Sequence, residues 1–240
     1  MTHLTRCRFN PARARSLTAF PQRLHAAVAA AFPPPAAETD PQGGPRVLWR
    51  LDETSAPYRQ ATLLIVSPTP PDLTHVIEQV GWPALATRTD PGWDTRPYSP
   101  LLDRLQRGMR LHFRITANPT RSTAQPGERR GRRTAHTTVT HQLQWLLEQA
   151  PKAGFTVPVH SHITNPQAPE HHQVSVLGSR KLDFVRQAGG RDHVQLTAVT
   201  YEGHLVVTDP ELLIRTLTHG IGRAKAYGCG LMTLAPIRQR

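Results

Sequence analysis

The sequence predicts an α+β protein built from two tandem βαββαβ units, and three observations support this prediction. A length of 240 residues allows one large domain or two small ones. The apolar fraction is 38%, with 23 prolines and 16 glycines, which favours two modest cores joined by many loops. Strand and helix patterns occur in the same order in both halves of the chain. That order is typical of ferredoxin-like (RRM-like) domains, here predicted over residues 1–105 and 106–240.

The first half is predicted to run strand, helix, strand, strand, helix, strand. Apolar residues recur at spacings of three and four over 16–32, which predicts a helix with Pro21 in its first turn. The run PPPAAETDPQGGP at 33–45 must be a loop. The later elements are predicted as strands at 47–51 and 61–66, a helix at 73–80 and a closing strand near 97–103.

The second half repeats this order. Apolar and polar residues alternate over 109–117, which predicts a half-buried strand. The later elements are predicted as a loop at 118–137, a helix at 138–149, strands at 157–163, 174–185 and 193–207, and a helix at 211–218. The last of these strands is expected to bend or divide at Glu202-Gly203, and Gly220 is expected to end the final helix.

The charge and cysteine content narrow the class of partner. Lys and Arg number 29 against 17 Asp and Glu, a formal charge of +12 that attracts polyanions. Cys7 and Cys229 are the two cysteines and form no CxxC pair, which argues against a disulfide framework or a cysteine zinc site. No run of 18 apolar residues occurs, so we expect a cytoplasmic protein with no membrane partner.

The segment GIGRAKAYGCGL at 220–231 is the strongest candidate for phosphate binding. Its glycines and cations are Gly220, Gly222, Arg223, Lys225, Gly228 and Gly230. Glycine lets backbone amides approach a phosphate closely, and the two cations add charge at the same place. A Rossmann turn and a P-loop are both excluded by residue identity. A glycine loop without a ligand remains the alternative interpretation.

Two further basic segments are candidate contacts for a polyanion. The loop at 121–136 contains five arginines, and without a bound polyanion we expect it to be disordered. A solvated loop and a phosphate contact are the two alternative interpretations of its charge. A hairpin is predicted from 180 to 199 with its turn at Gly189-Gly190. The cations expected to line this hairpin are Arg180, Lys181, Arg186 and Arg191.

Three motifs resemble the CasE (Cse3) family. GIGRAKAYGCGLMTLAPI at 220–237 is similar to its C-terminal glycine-rich signature, and FRITANPTRS at 113–122 to its strand-to-loop motif. QRLHAAVAAAFP at 22–33 is similar to the helix that carries the family's catalytic histidine. The resemblance implies cleavage of precursor CRISPR RNA at the 3′ side of a repeat hairpin, and retention on the product as a subunit of the type I-E Cascade complex.

The resemblance places the catalytic histidine at His25, whose imidazole can exchange protons near neutral pH. We expect His25 to act as general acid or base and Lys225 to stabilise charge or anchor phosphate. Arg114 and the basic hairpin are expected to position the stem. Cleavage by the RNA's own 2′-hydroxyl requires no metal or cofactor if these groups suffice. Gln22 departs from the tyrosine that the family often has there, which leaves the second proton-transfer role open.

Two other functions remain open. A non-catalytic subunit that binds the RNA hairpin would account for the departure at Gln22, and a general basic protein for DNA or ribosomal RNA would account for the charge. The histidines at 160, 162, 171 and 172 are not expected to bind metal, because they lack fitting partners nearby in sequence.

Overall fold

The computed structural model describes residues 1–33, 46–54, 60–123, 132–160, 171–185 and 193–237. Contacts divide the chain into two compact units. The first comprises Met1–Arg104, Thr218–Gly220 and Ala224–Leu231, and the second comprises Leu105–Leu217, Ile221–Arg223 and Met232–Arg240. Part of the glycine-rich segment therefore groups with the first unit, although the sequence prediction put all of it in the second domain. The division into domains 1–105 and 106–240 stays a prediction.

The first unit is a four-stranded antiparallel sheet with helices. Its strands are β1 (His3–Arg8), β2 (Leu48–Glu53), β3 (Ala61–Ser67) and β4 (Trp93–Pro97), in the order β2-β3-β1-β4. Its helices are α1 (Arg15–Thr18), α2 (Pro21–Ala29), α3 (Thr74–Val80) and α4 (Ser99–Leu102). Alternate residues Ala61, Leu63 and Ile65 of β3 are buried, which is the pattern of a strand with one face on the core.

The second unit contains a sheet with the same strand order. Its strands are β5 (Arg110–Ala117), β6 (Thr120–Thr123), β7 (Arg132–Ala135), β8 (Phe155–Thr156), β9 (Val159–His160), β10 (His171–His172), β11 (Val174–Val185), β12 (His193–Val207) and β13 (Met232–Pro236). The main sheet has the order β11-β12-β5-β13. The helices are α5 (Val139–Gln149) and α6 (Pro210–His219). In both sheets the first strand lies between the third and the fourth, which confirms two ferredoxin-like units.

Three expectations about the elements were wrong. The helix predicted over 16–32 is two helices, because Phe20 is extended and Pro21 starts a new helix. The closing strand near 97–103 ends at Pro97, and Ser99–Leu102 form a helical turn that buries Leu102. Strand β12 runs unbroken through Glu202 and Gly203.

Gly203 lies where another backbone segment approaches the strand closely. A Cβ at this position would lie 2.2 Å from the Gln173 carbonyl oxygen and 2.7 Å from the Val174 Cα. The irregularity in the pairing of β11 with β12 lies instead between Val176 and Gly178 on β11.

Two stretches of the basic loop form strands. Residues on either side of its centre pair as the antiparallel strands β6 and β7, so the expectation of disorder was wrong for 121–123 and 132–135. The middle of the loop, 124–131, lies outside the described residues, as does the predicted hairpin tip with Arg186 and Arg191. Among the described residues, no helix is both long and apolar enough to cross a membrane.

We expect Gly203→Ala to lower the free energy of unfolding by roughly 1–3 kcal/mol, because the added methyl group overlaps backbone atoms of a neighbouring segment. Gly178→Ala is the matched control in the same sheet, since a Cβ there meets nothing within 4 Å. Urea denaturation of both variants measures the difference. Equal stability of the two variants would contradict the close approach at Gly203.

Candidate functional site

Helix α2 places His25 at the edge of its buried face. Leu24, Ala27 and Val28 are buried at helical spacing, and His25 is half-buried beside them. His75 on α3 has its Nε2 2.8 Å from the Ala27 carbonyl oxygen, which connects α2 to the next helix. The core of the first unit therefore determines which way His25 faces.

Strand β2, also in the first unit, carries a buried arginine. Arg50 is 1% exposed, and its Nε donates to Asp52 Oδ1 at 2.7 Å while Nη2 donates to Oδ2 at 2.9 Å. Its Nη1 also donates to the Leu231 carbonyl oxygen at 3.1 Å. This cation therefore has a structural role, because it binds the end of the glycine-rich segment to β2.

The glycines of this segment allow close packing. Gly220 and Gly228 have φ of 75° and 76°, in the left-handed region that glycine adopts without strain. A Cβ on Gly228 would lie 2.6 Å from Trp49 Cζ3, and one on Gly220 would lie 2.9 Å from Leu48 Cδ2. In the second unit, Gly222 (φ 71°) faces the Trp145 ring, 3.2 Å from a would-be Cβ. Contact with side chains thus accounts for three of the four glycines, so the phosphate-cradle role of Gly220, Gly222, Gly228 and Gly230 stays a prediction.

His25 and Lys225 line the same small cavity in the first unit. The cavity has a volume of about 70 Å³ and is lined by His25, Val28, Ala29, Arg46, Val47, Trp49, Lys225 and Ala226. Of the described residues, none of those lining it is a carboxylate. The structure therefore brings together the histidine and the lysine that the sequence had placed at opposite ends of the chain.

The two cations of this cavity affect each other. Burial lowers the pKa of Lys225 below its ordinary value, and the positive charge of Arg46 lowers it further. The Nε of Arg46 and the indole Nε1 of Trp49 are both buried and have no hydrogen-bond partner within the described ranges. Uncompensated positive charge beside unpaired N–H donors favours an anionic ligand.

Sequence reasoning missed Arg46 and Tyr227. Arg46 directly follows the segment predicted as a loop and lies in no motif, and only the tertiary structure brings it beside Lys225. Tyr227 lies inside the glycine-rich segment, and its ring is 5.8 Å from that of His25 between centroids. Gln22, one turn before His25, has its Oε1 buried with no hydrogen-bond partner in the described part of the chain.

The other predicted RNA contacts lie in the second unit. Arg114 on β5 pairs with Glu202, donating from Nε at 2.7 Å, and His112 Nε2 is 3.1 Å from the same carboxylate. Arg180 and Lys181 on β11 are exposed, as is Arg223. Among the described residues, no group of three or more His, Cys, Asp and Glu is placed to hold a metal ion.

Similar proteins agree with the resemblance found in the motifs. *Thermus thermophilus* Cse3, a CRISPR-associated endoribonuclease, is 30% identical over 238 residues, which is 97% of this chain and 99% of that protein. The *Escherichia coli* Cascade subunit CasE is 29% identical over 140 residues, covering 55% of this chain and 61% of that protein.

Solved structures show the same fold. *T. thermophilus* Cse3 bound to an RNA representing a pre-cleavage complex matches with a TM-score of 0.71 and 29% identity, over 98% of this chain and 99% of that one. A chain of a CRISPR RNA-guided surveillance complex matches in fold, with a TM-score of 0.61 and 21% identity over 98% and 100% of the two chains. Residues 2–236 match the model of the family described as CRISPR associated protein. The chain therefore belongs to the CRISPR associated protein family, together with *T. thermophilus* Cse3.

Proposed function

We propose that this chain is an endoribonuclease that cleaves precursor CRISPR RNA beside its repeat hairpin, and that it remains on the mature crRNA as a Cascade subunit. The observation that carries the proposal is the shared cavity of His25, Arg46 and Lys225 in a chain similar to an endoribonuclease. The similar Cse3 has been solved with RNA, and the similar CasE is named a Cascade subunit.

The proposed reaction needs no metal. The 2′-hydroxyl loses its proton to a base and its oxygen attacks the adjacent phosphorus, which forms a 2′,3′-cyclic phosphate. The bond from phosphorus to the 5′-oxygen breaks, and an acid protonates that oxygen to give a 5′-hydroxyl end. His25 supplies one of these proton transfers. Lys225 and Arg46 offset the negative charge that develops on the phosphoryl oxygens.

The second unit is proposed to hold the stem. Arg180 and Lys181 are exposed on β11, one strand of the long hairpin that β11 and β12 form. The proposal adds Arg186, Arg191 and Arg114 from the sequence prediction. A-form RNA has a deep and narrow major groove, so such contacts recognise stem shape and phosphates more than base edges.

We expect His25→Ala to lower the single-turnover cleavage rate of the repeat RNA by roughly 10²–10⁴-fold, with little change in stem affinity. The reaction is followed in EDTA, so that metal-dependent contaminants do not contribute. His171→Ala is a matched control, because His171 is an exposed histidine of the second unit. Full activity of His25→Ala would remove this residue from the mechanism. Tight hairpin binding without any cleavage by the wild-type protein would instead favour the non-catalytic subunit, which the departure at Gln22 allows.

A single 2′-deoxy substitution at the scissile nucleotide should abolish cleavage and leave binding nearly unchanged, because it removes only the attacking oxygen. End-group analysis of the normal substrate should find a 5′-hydroxyl and a cyclic phosphate. Cleavage of the deoxy substrate would show that water is the nucleophile and would contradict the proposed reaction.

Lys225→Met should lower the cleavage rate by about 10–10²-fold. It should also change how the free energy of unfolding depends on pH. The folded-state pKa of Lys225 is below its unfolded value, so the unfolded chain binds the proton more tightly. The free energy of unfolding of the wild type should therefore rise with pH between the folded and unfolded pKa values of Lys225.

Urea denaturation across the alkaline range measures this dependence. Lys225→Met should lack the contribution, and the difference in stability between the two proteins should change with pH in that window. A constant difference across the range would show that the lysine titrates normally in the folded protein.

A further inference from the structure

A second aromatic ring lies against His25. The Tyr227 and His25 ring centroids are 5.8 Å apart and the ring planes meet at 62°, an edge-to-face arrangement. Aromatic pairs prefer this geometry at centroid separations of 4.5–7 Å. Tyr227 is half-buried and ends the 3₁₀ turn Lys225–Tyr227, so one turn carries both the cation of the cavity and the ring beside the histidine.

The turn is fixed at both ends. Ala224 and Gly228, which flank it, have φ of 60° and 76°. The Tyr227 amide donates to the Ala224 carbonyl oxygen at 2.9 Å, and the Cys229 amide reaches the same oxygen at 3.4 Å. Beyond the turn, Gly228 lies on the Trp49 ring with no space for a Cβ. The backbone of Tyr227 is therefore held against β2.

An imidazole at the edge of a helix needs such a support if it is to transfer protons. Its ring nitrogen must lie within hydrogen-bond reach of the hydroxyl or of the leaving oxygen. A displacement of about 1 Å can cost about 10²-fold in rate. Helix α2 fixes the Cα of His25, and rotation about the side-chain bonds is restricted by the groups that contact the ring.

We propose that Tyr227 is a positioning residue, whose ring holds the His25 imidazole in the orientation that faces the cavity. The proposal rests on the proposed function, because it assigns a role within the same site. The proposal assigns the role to the ring, because the ring makes the edge-to-face contact with His25. Phenylalanine at this position should therefore suffice.

The test compares Tyr227→Leu with Tyr227→Phe in single-turnover cleavage at saturating protein. Leucine should slow cleavage by roughly 3- to 10-fold, the loss that corresponds to one edge-to-face contact, and phenylalanine should restore the wild-type rate. Affinity for an RNA with 2′-deoxy at the scissile position should be unchanged in both. Tyr227→Met is a second variant without a ring, should leucine unfold the protein.

A direct readout is the NMR signal of the His25 ring protons, which the current of a neighbouring aromatic ring shifts. Those signals should move in Tyr227→Leu and stay near their wild-type positions in Tyr227→Phe. Trp82→Leu, which removes a 38% exposed ring elsewhere in the first unit, is the matched control and should change neither the signals nor the rate.

Two outcomes would overturn the inference. Wild-type cleavage by Tyr227→Leu would show that the ring does not position His25, and equal losses in the leucine and phenylalanine variants would assign the role to the hydroxyl. A wild-type protein that does not cleave would contradict the proposed function instead. In that case unchanged His25 signals in Tyr227→Leu would still contradict the ring contact.

Discussion

The candidate site depends on the anchoring of residues 224–231 to strand β2. Arg50 is buried in β2 and donates from Nη1 to the Leu231 carbonyl oxygen at 3.1 Å, while Gly228 lies directly on Trp49. These contacts place the end of the chain beside a helix from its beginning. Together with the contact of the Tyr227 ring on His25, they hold Lys225 near a histidine that is far from it in sequence. By holding residues 224–231 against β2, the buried Arg50 supports the positions of the side chains that line the cavity.

Arg50 and Lys225 differ in burial and in the charges beside them. Arg50 is neutralised by Asp52 and almost fully buried, whereas Lys225 is half-buried beside another cation, and burial and Arg46 together lower its pKa. Two like charges beside one cavity destabilise the folded protein, and such a cost is more common at binding sites than in cores. Arg114 differs from both, because its pairing with Glu202 leaves less of its charge for a phosphate.

Local sequence patterns predicted most of the fold, because strand alternation and helical spacing reflect burial on one face. The bounds of β11 and β12 agree with the predicted 174–185 and 193–207. Errors occurred where a tertiary contact decides the conformation. Residues 97–103 look apolar enough for a strand, but the Tyr98 amide donates to the Thr2 carbonyl oxygen and the chain then turns into α4. Gly203 looked like a bend because sequence does not reveal that another backbone segment passes close to it.

Only part of the candidate site was predicted from the sequence. His25 came from the resemblance and Lys225 from the charge of the glycine-rich segment, and both line one cavity in the structure. Arg46 lies in no motif, and nothing in the glycine-rich motif distinguishes Tyr227, since the relevance of both arises from neighbours far away in the chain. For the glycines, the motif suggested a role that is not needed to explain their presence. Their pattern suggested a phosphate cradle, yet Gly228 and Gly220 are required by the side chains of Trp49 and Leu48. A glycine-rich motif can therefore be needed because it lets the turn that carries Lys225 and Tyr227 pack closely on its support, whether or not its amides bind a ligand.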